Sequence, residues 1–106
     1  MSKYLFQASL TAEGVKVTVR DGGSKRKAAI EQLIGSVGGN VEAFYYAFGE
    51  TDLFVICDMP DNASAIAAVL AVVSAGTAEV KTAVLLTPEE VDAAVKKSPA
   101  YTPPAA

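Results

Sequence analysis

Four short segments of the chain are rich in apolar residues, and they are predicted to be β-strands, in which successive side chains point to opposite faces. The four predicted strands cover residues 4–10, 41–48, 53–59 and 79–86. Only the turn-forming run GETD at 49–52 separates the second strand from the third, which predicts a hairpin. We expect the rest of the chain to pack around this hairpin.

Three other segments have apolar residues at every third or fourth position, which predicts helices at about 24–36, 62–75 and 88–97. The residues predicted to cap helices are Thr11, Ser24, Asp61 and Thr87. Residues 12–21 are ambiguous, because their run VKVTV favours a strand. A helix is predicted there because the strands on either side need a crossover connection.

Both faces of the predicted hairpin are largely apolar. In its first strand, alternation separates Val41, Ala43, Tyr45 and Ala47 from Glu42, Phe44, Tyr46 and Phe48. In its second strand, alternation separates Leu53, Val55, Cys57 and Met59 from Phe54, Ile56 and Asp58. The chain's own helices must cover one face, and we expect a second copy of the chain to cover the other. The sequence therefore predicts a homodimer or higher homo-oligomer; a cover made by loops or by the tail is the alternative.

The composition is typical of one globular domain, expected at 1–98, followed by a proline-rich tail at 99–106. The chain has 106 residues, of which 51% are hydrophobic, and its mean hydropathy is +0.30. A net charge of −3 and a pI near 4.8 disfavour a nucleic-acid partner. No apolar run is long enough to span a bilayer, and the first residues lack a signal-like core. We therefore expect a cytoplasmic location and no membrane partner.

The chain contains no histidine and one cysteine. The absence of histidine removes the commonest general base and metal ligand, and it excludes Ser-His-Asp and Cys-His catalytic groups. With a single cysteine, a zinc or iron site lacks a plausible set of ligands, so we expect neither a metal nor a cofactor. Cys57 falls in a predicted buried strand and is interpreted as a small core residue.

Four polar residues are candidate ligand contacts. Gln7 is a polar group on a strand face, although hydrogen bonding at the edge of the core would also explain it. Tyr45 and Tyr46 point to opposite faces, so one should serve packing, and the hydroxyl of Tyr46 is our candidate for reaching a cavity between sheets. Asp52 would place a carboxylate at the cavity mouth or would cap the turn. Lys81 would either point inward, with a lowered pKa, or extend its ammonium into solvent.

The run GGSKR at 22–26 is a candidate anion-binding site. Ser24, Lys25 and Arg26 fall at the predicted start of a helix, where backbone N–H groups and the helix dipole favour negative charge. The run lacks the G-x-x-x-x-G-K-[ST] spacing of a P-loop. The alternative is a solvated run of charges without a ligand.

The order of elements predicts an α+β fold: a ferredoxin-like βαββαβ core with an antiparallel four-stranded sheet and an additional C-terminal helix. The stretches at 4–16, 20–39, 41–62 and 80–97 also resemble the GYD-domain family of small bacterial proteins. Gly49 and Asp52 match the family's Gly-Tyr-Asp element, whereas Thr51 stands where tyrosine is common. The resemblance implies a dimeric α/β-barrel-like arrangement, in which the sheets of two subunits face one another, and it implies no assigned activity.

Two functional hypotheses follow, and a purely structural role in assembly is a third alternative. The first, which we favour because histidine is absent, is a homo-oligomeric binding module that holds a small apolar metabolite between facing sheets. The second is a cofactor-independent enzyme of the dimeric-barrel type, an oxygenase or isomerase acting on a small apolar or phenolic compound. It would use Asp52, Tyr46, Gln7 or Lys81 as acid, base or hydrogen-bond donor. Convergence of two or more of these side chains on one pocket would favour the enzyme.

Overall fold

The computed structural model describes residues 1–105, and its elements follow the predicted order. The strands are β1 (Ser2–Leu10), β2 (Asn40–Tyr46), β3 (Leu53–Met59) and β4 (Ala78–Leu85). The helices are α1 (Ala12–Asp21), α2 (Gly23–Ser36), α3 (Asn62–Ser74) and α4 (Pro88–Val95). Every predicted strand and helix is present, including the helix at 12–21 that the β-branched run made ambiguous.

The strands form one antiparallel sheet in the order β2-β3-β1-β4. Helices α1 and α2 connect β1 to β2, and α3 connects β3 to β4. This connectivity is the ferredoxin-like βαββαβ arrangement, and α4 is the additional C-terminal helix. The predicted fold class and the antiparallel four-stranded sheet are therefore confirmed.

Strand alternation decides which side of the sheet the helices cover. The buried cluster comprises Tyr4, Phe6, Ile34, Val55, Cys57, Met59, Ala65 and Ala68. Its sheet residues come from one side of β1 and β3, and its helix residues come from α2 and α3. The small alanine side chains let α3 approach the sheet closely. We call this covered side the helix face, and we call the opposite side, which carries Leu5 and Ile56, the open face.

The predicted capping residues of α1, α3 and α4 form capping hydrogen bonds, whereas the residue predicted to cap α2 does not. The side chains of Thr11, Asp61 and Thr87 accept hydrogen bonds from backbone N–H groups at the starts of α1, α3 and α4. Ser24 was predicted to cap α2, and this is wrong. The helix begins at Gly23, directly after Gly22, whose φ of 78° is a conformation that favours glycine, and no side chain caps it.

The pairing of β2 with β3 contains a shift of register between Val41 and Ala43. Val41 lies opposite Cys57, and Phe44 lies opposite Val55, so both belong to the helix face. Strict alternation had placed Val41 and Phe44 on opposite faces. That prediction is wrong, because an extra residue in one strand reverses the alternation that follows it.

Helix α1 lies close to the segment that leads into β4. Thr11 donates from its N–H to the carbonyl of Thr77 at 3.0 Å and from its hydroxyl to the carbonyl of Gly76 at 2.7 Å. A Cβ atom at Gly14 would overlap the carbonyl oxygen of Thr77. Gly14 is therefore required by close packing rather than by an unusual backbone angle.

The C-terminal arm, residues 86–105, projects from the body of the molecule. Every residue of α4 is exposed, and α4 packs closely on no other element of the described chain. The Cα radius of gyration is 17.0 Å, whereas a compact chain of this length has a value of about 13 Å. Residues 98–105 have no regular secondary structure; the final residue of the predicted tail, 106, lies outside the described residues.

We expect Gly14→Ala to lower the free energy of unfolding by about 3 kcal/mol, because the added methyl group must displace packed backbone. Urea denaturation followed by circular dichroism measures the change. Gly35→Ala is the matched control, since it adds the same methyl group within α2 where no atom lies within 4 Å. The control is expected to be neutral or stabilising by up to about 1 kcal/mol. Equal stability of the two variants would contradict the close packing at Gly14.

We expect Cys57 to resist alkylation in the folded chain. Burial, followed by the nearby charge of Asp58, raises the pKa of the Cys57 thiol from 9.0 to about 11. At pH 8 this shift lowers the thiolate fraction by about 100-fold. Iodoacetamide should therefore react at least about 100-fold more slowly with the native chain than with the chain in urea. Equal rates, measured by mass spectrometry, would refute the buried placement.

Candidate functional site

The open face presents an apolar patch at the centre of the sheet. The patch comprises Leu5, Ala43, Tyr45, Phe54, Ile56, Ala83 and Leu85. Directly opposed residues of neighbouring strands share a face, and Leu5 lies opposite both Ile56 and Ala83. Most of these side chains are half-buried by their neighbours, whereas Tyr45 is 70% exposed. Helices α2 and α3 pack on the other side, so no described helix covers the patch.

Charged side chains of both signs border the patch beside the start of β1. Lys3 donates hydrogen bonds to the carboxylate of Glu42 and, at 2.9 Å, to that of Asp58. These bonds, the one to Glu42 first, raise the pKa of Lys3. Because exposed ion pairs add little to stability, this cluster is better understood as a polar rim than as a structural clamp.

Gln7 and Lys81 lie together on the open face. They are opposed in the ladder between β1 and β4, and Gln7 is also opposed to Phe54 of β3. Lys81 is exposed, so its ammonium is in solvent in the single chain. An amide and a cation are thus available beside the apolar patch to contact a bound molecule.

Tyr46 lies on the helix face, opposite Leu53 of β3. Its hydroxyl donates to the carbonyl of Gly23 at 3.0 Å, and its ring stacks on Phe48 with 5.4 Å between centroids. The structure therefore does not bring this hydroxyl to the open face. The aromatic residue of β2 that lies there is Tyr45, which we did not select from the sequence. The only indication in the sequence was that neighbouring residues of a strand point to opposite faces, so that one of the two tyrosines had to lie on the open face.

Asp52 joins the end of the hairpin to β1. Its carboxylate accepts a hydrogen bond from the N–H of Leu10 at 2.7 Å, and its own N–H donates to the carbonyl of Ala8 at 2.9 Å. Its carbonyl accepts from the N–H of Ala47 at 2.8 Å. These contacts agree with the turn-capping alternative, because the carboxylate is already engaged by backbone.

The three candidate anion ligands do not converge at the start of α2. Ser24 is exposed, and Lys25 extends into solvent, with its ammonium 3.9 Å from the carboxylate of Asp21. Arg26 turns toward α1 instead, where its Nη2 donates to the carbonyl of Gly14 at 2.8 Å. Ser24 and Lys25 therefore agree with the alternative of a solvated run of charges. Arg26 does not, because it is hydrogen-bonded to α1.

The structure thus separates the four candidate ligand contacts. Gln7 and Lys81 share the open face, whereas Tyr46 and Asp52 are hydrogen-bonded to backbone. Among residues 1–105, no three histidine, cysteine, aspartate or glutamate side chains are grouped so that they would hold a metal ion. No helix in the same range is long and apolar enough to cross a membrane.

The GYD domain family model matches residues 4–95, which run from β1 to the end of α4. The chain belongs to the GYD domain family. Comparisons with curated proteins and with solved structures gave no match. The family match confirms the resemblance inferred from the sequence, and it places the arm's helix within the GYD domain.

We expect Asp52→Ala to destabilise this GYD domain by about 1–2 kcal/mol, because the N–H of Leu10 loses its acceptor. Asp52→Asn retains an amide oxygen and should lose less. Glu50→Ala is the control, since it removes an exposed carboxylate from the same turn. Urea denaturation compares the three variants; a loss in Glu50→Ala as large as that in Asp52→Ala would contradict the assigned role.

Proposed function

We propose that this GYD domain is a homodimeric binding module in which two open faces pack against each other around a small apolar metabolite. The observation that carries the proposal is the apolar patch on the open face. Removing such a surface from water is favourable, at about 25 cal/mol per Å² of apolar area. Contiguous exposed apolar patches of this kind are typical of interaction surfaces.

A second copy of the chain is the occupant that the patch fits best. A two-fold dimer uses the same surface from both copies, so the apolar centre of one patch meets the apolar centre of the other. The rim formed by Lys3, Glu42 and Asp58 carries both signs of charge, which allows complementary contacts at the edge of the same interface.

The C-terminal arm gives independent support for self-association. Isolated helices shorter than about 12 residues are only marginally stable in water, and α4 has eight residues. Val91 and Val95 of α4 and Tyr101 of the tail are 48%, 74% and 77% exposed. We propose that the arm packs against the second copy, which would cover these apolar side chains.

The polar residues beside the patch restrict the class of ligand. Gln7 and Lys81 would contact one or two polar groups of the ligand, while the patch itself would contact an apolar body. We propose binding rather than catalysis, because Tyr46 and Asp52 already use their polar atoms in backbone hydrogen bonds. Those two side chains are therefore poorly placed to act as acid or base.

We expect Leu5→Glu to convert the dimer into a monomer, because it places a charge at the centre of the apolar patch. Sedimentation velocity at micromolar concentration measures the change. Leu70→Glu is the matched control, since the same substitution on the outer side of α3, where Leu70 is 62% exposed, should leave the dimer intact. Circular dichroism verifies that both variants are folded. A monomeric wild-type chain would refute the proposed dimer.

Native mass spectrometry of the freshly purified chain tests the ligand. The wild-type dimer should retain a small molecule that the folded Leu5→Glu variant has lost. A dimer that carries no additional mass under several purification conditions would contradict ligand binding while leaving self-association standing.

A further inference from the structure

A groove lies on the opposite side of the molecule from the apolar patch, where α1 and α2 meet α3. It has a volume of about 440 Å³. Its walls include Val17, Ala29 and Leu33 on one side and Ala71 and Val72 on the other. The groove is therefore largely apolar along its length, and the sheet separates it from the surface proposed for dimerisation.

A smaller cavity lies beneath the groove, between α2, α3 and the sheet. Its volume is about 50 Å³, and its lining includes Phe6, Leu53 and Val69. The groove and the cavity share part of their walls, formed by Arg26, Ile30, Leu33 and Val72. An apolar chain lying in the groove would thus have apolar side chains beneath it as well as beside it.

One cation in this shared wall lacks a counter-charge. Arg26 donates from Nη2 to the carbonyl of Gly14 at 2.8 Å and to the hydroxyl of Thr18 at 3.0 Å, and both acceptors are neutral. Its Nε is buried and has no hydrogen-bond partner. No carboxylate in residues 1–105 forms an ion pair with it. A guanidinium in this setting is poorly compensated, so an anion beside it would be stabilised.

The other charges of the groove leave it cationic at this end. Asp21 also lines the groove, but its carboxylate accepts two hydrogen bonds from Arg20, and Lys25 lies 3.9 Å away. The contact with Arg20 lowers the pKa of Asp21, which stays ionised and paired. Lys25 and Arg26 both line the groove, and the one carboxylate among its lining residues is already paired with Arg20.

We infer that this groove is a second binding site, for a small organic anion with an apolar body. A carboxylate would lie beside Arg26 with Lys25 nearby, since a guanidinium pairs well with a planar carboxylate. The apolar body would extend along Leu33 and Val72, over the inner cavity. This inference is independent of the proposed dimer, because the two surfaces lie on opposite sides of the sheet.

Octanoate is the probe, with octanol and inorganic phosphate supplying the apolar chain alone and a polar anion alone. Two-dimensional NMR titration of the full chain should show octanoate shifting the signals of Ala29, Leu33 and Val72. Arg26→Gln should weaken octanoate binding about tenfold or more, because it removes the cation. Lys27→Gln is the matched control: it removes the same charge from an exposed residue that does not line the groove, and it should not change the affinity.

Ala29→Trp provides a second test that leaves the hydrogen bonds of Arg26 in place. Ala29 is exposed and lines the groove, so the large ring should fill it and abolish octanoate binding in a folded chain. Octanol or phosphate binding as tightly as octanoate would overturn the proposed ligand class. Absence of octanoate binding at millimolar concentration, or shifts confined to Leu5 and Phe54 on the open face, would overturn the site.

Discussion

The structure depends on one imbalance: a four-stranded sheet with two apolar faces and helices that cover only one of them. Tyr4, Phe6 and Cys57 are buried beneath α2 and α3, as the core of a two-layer domain requires. Leu5 and Ile56 alternate with them and are equally apolar, yet no described helix lies over them. Packing of the helices on the helix face therefore forms the core of the domain. The uncovered apolar residues of the open face are the basis of our proposal of self-association.

The sequence was sufficient for most of the fold because its strands and helices are marked by local signals. Burial in β3 alternates with a period of two without exception, as expected of a strand whose one face lies against the helices. The helix at 12–21 was identified from connectivity, since tertiary context overrides the preference of Val15 and Val17 for strands. The register shift beside Val41 was not predictable, because it depends on the pairing with β3 rather than on β2 alone.

The candidate site was harder to predict from the sequence, because its polar atoms form hydrogen bonds with residues that are distant along the chain. The hydroxyl of Tyr46 bonds to Gly23, and the carboxylate of Asp52 bonds to Leu10. Arg26 turns from a charged run toward α1 only because α1 and α2 pack side by side. Such contacts exist only in the assembled fold, whereas the neighbours Gln7 and Lys81 lie on one face through strand pairing alone.

The register shift in β2 has a consequence for how the sheet could contact other chains. β2 is an outer strand, and an extra residue increases the local twist and interrupts the regular row of N–H and C=O groups along its margin. A neighbouring strand would find fewer aligned partners there, which disfavours growth of the sheet into a continuous ribbon. In the dimer that we propose, the broad surface of the sheet forms the contact, and a two-fold pair that meets there closes on itself.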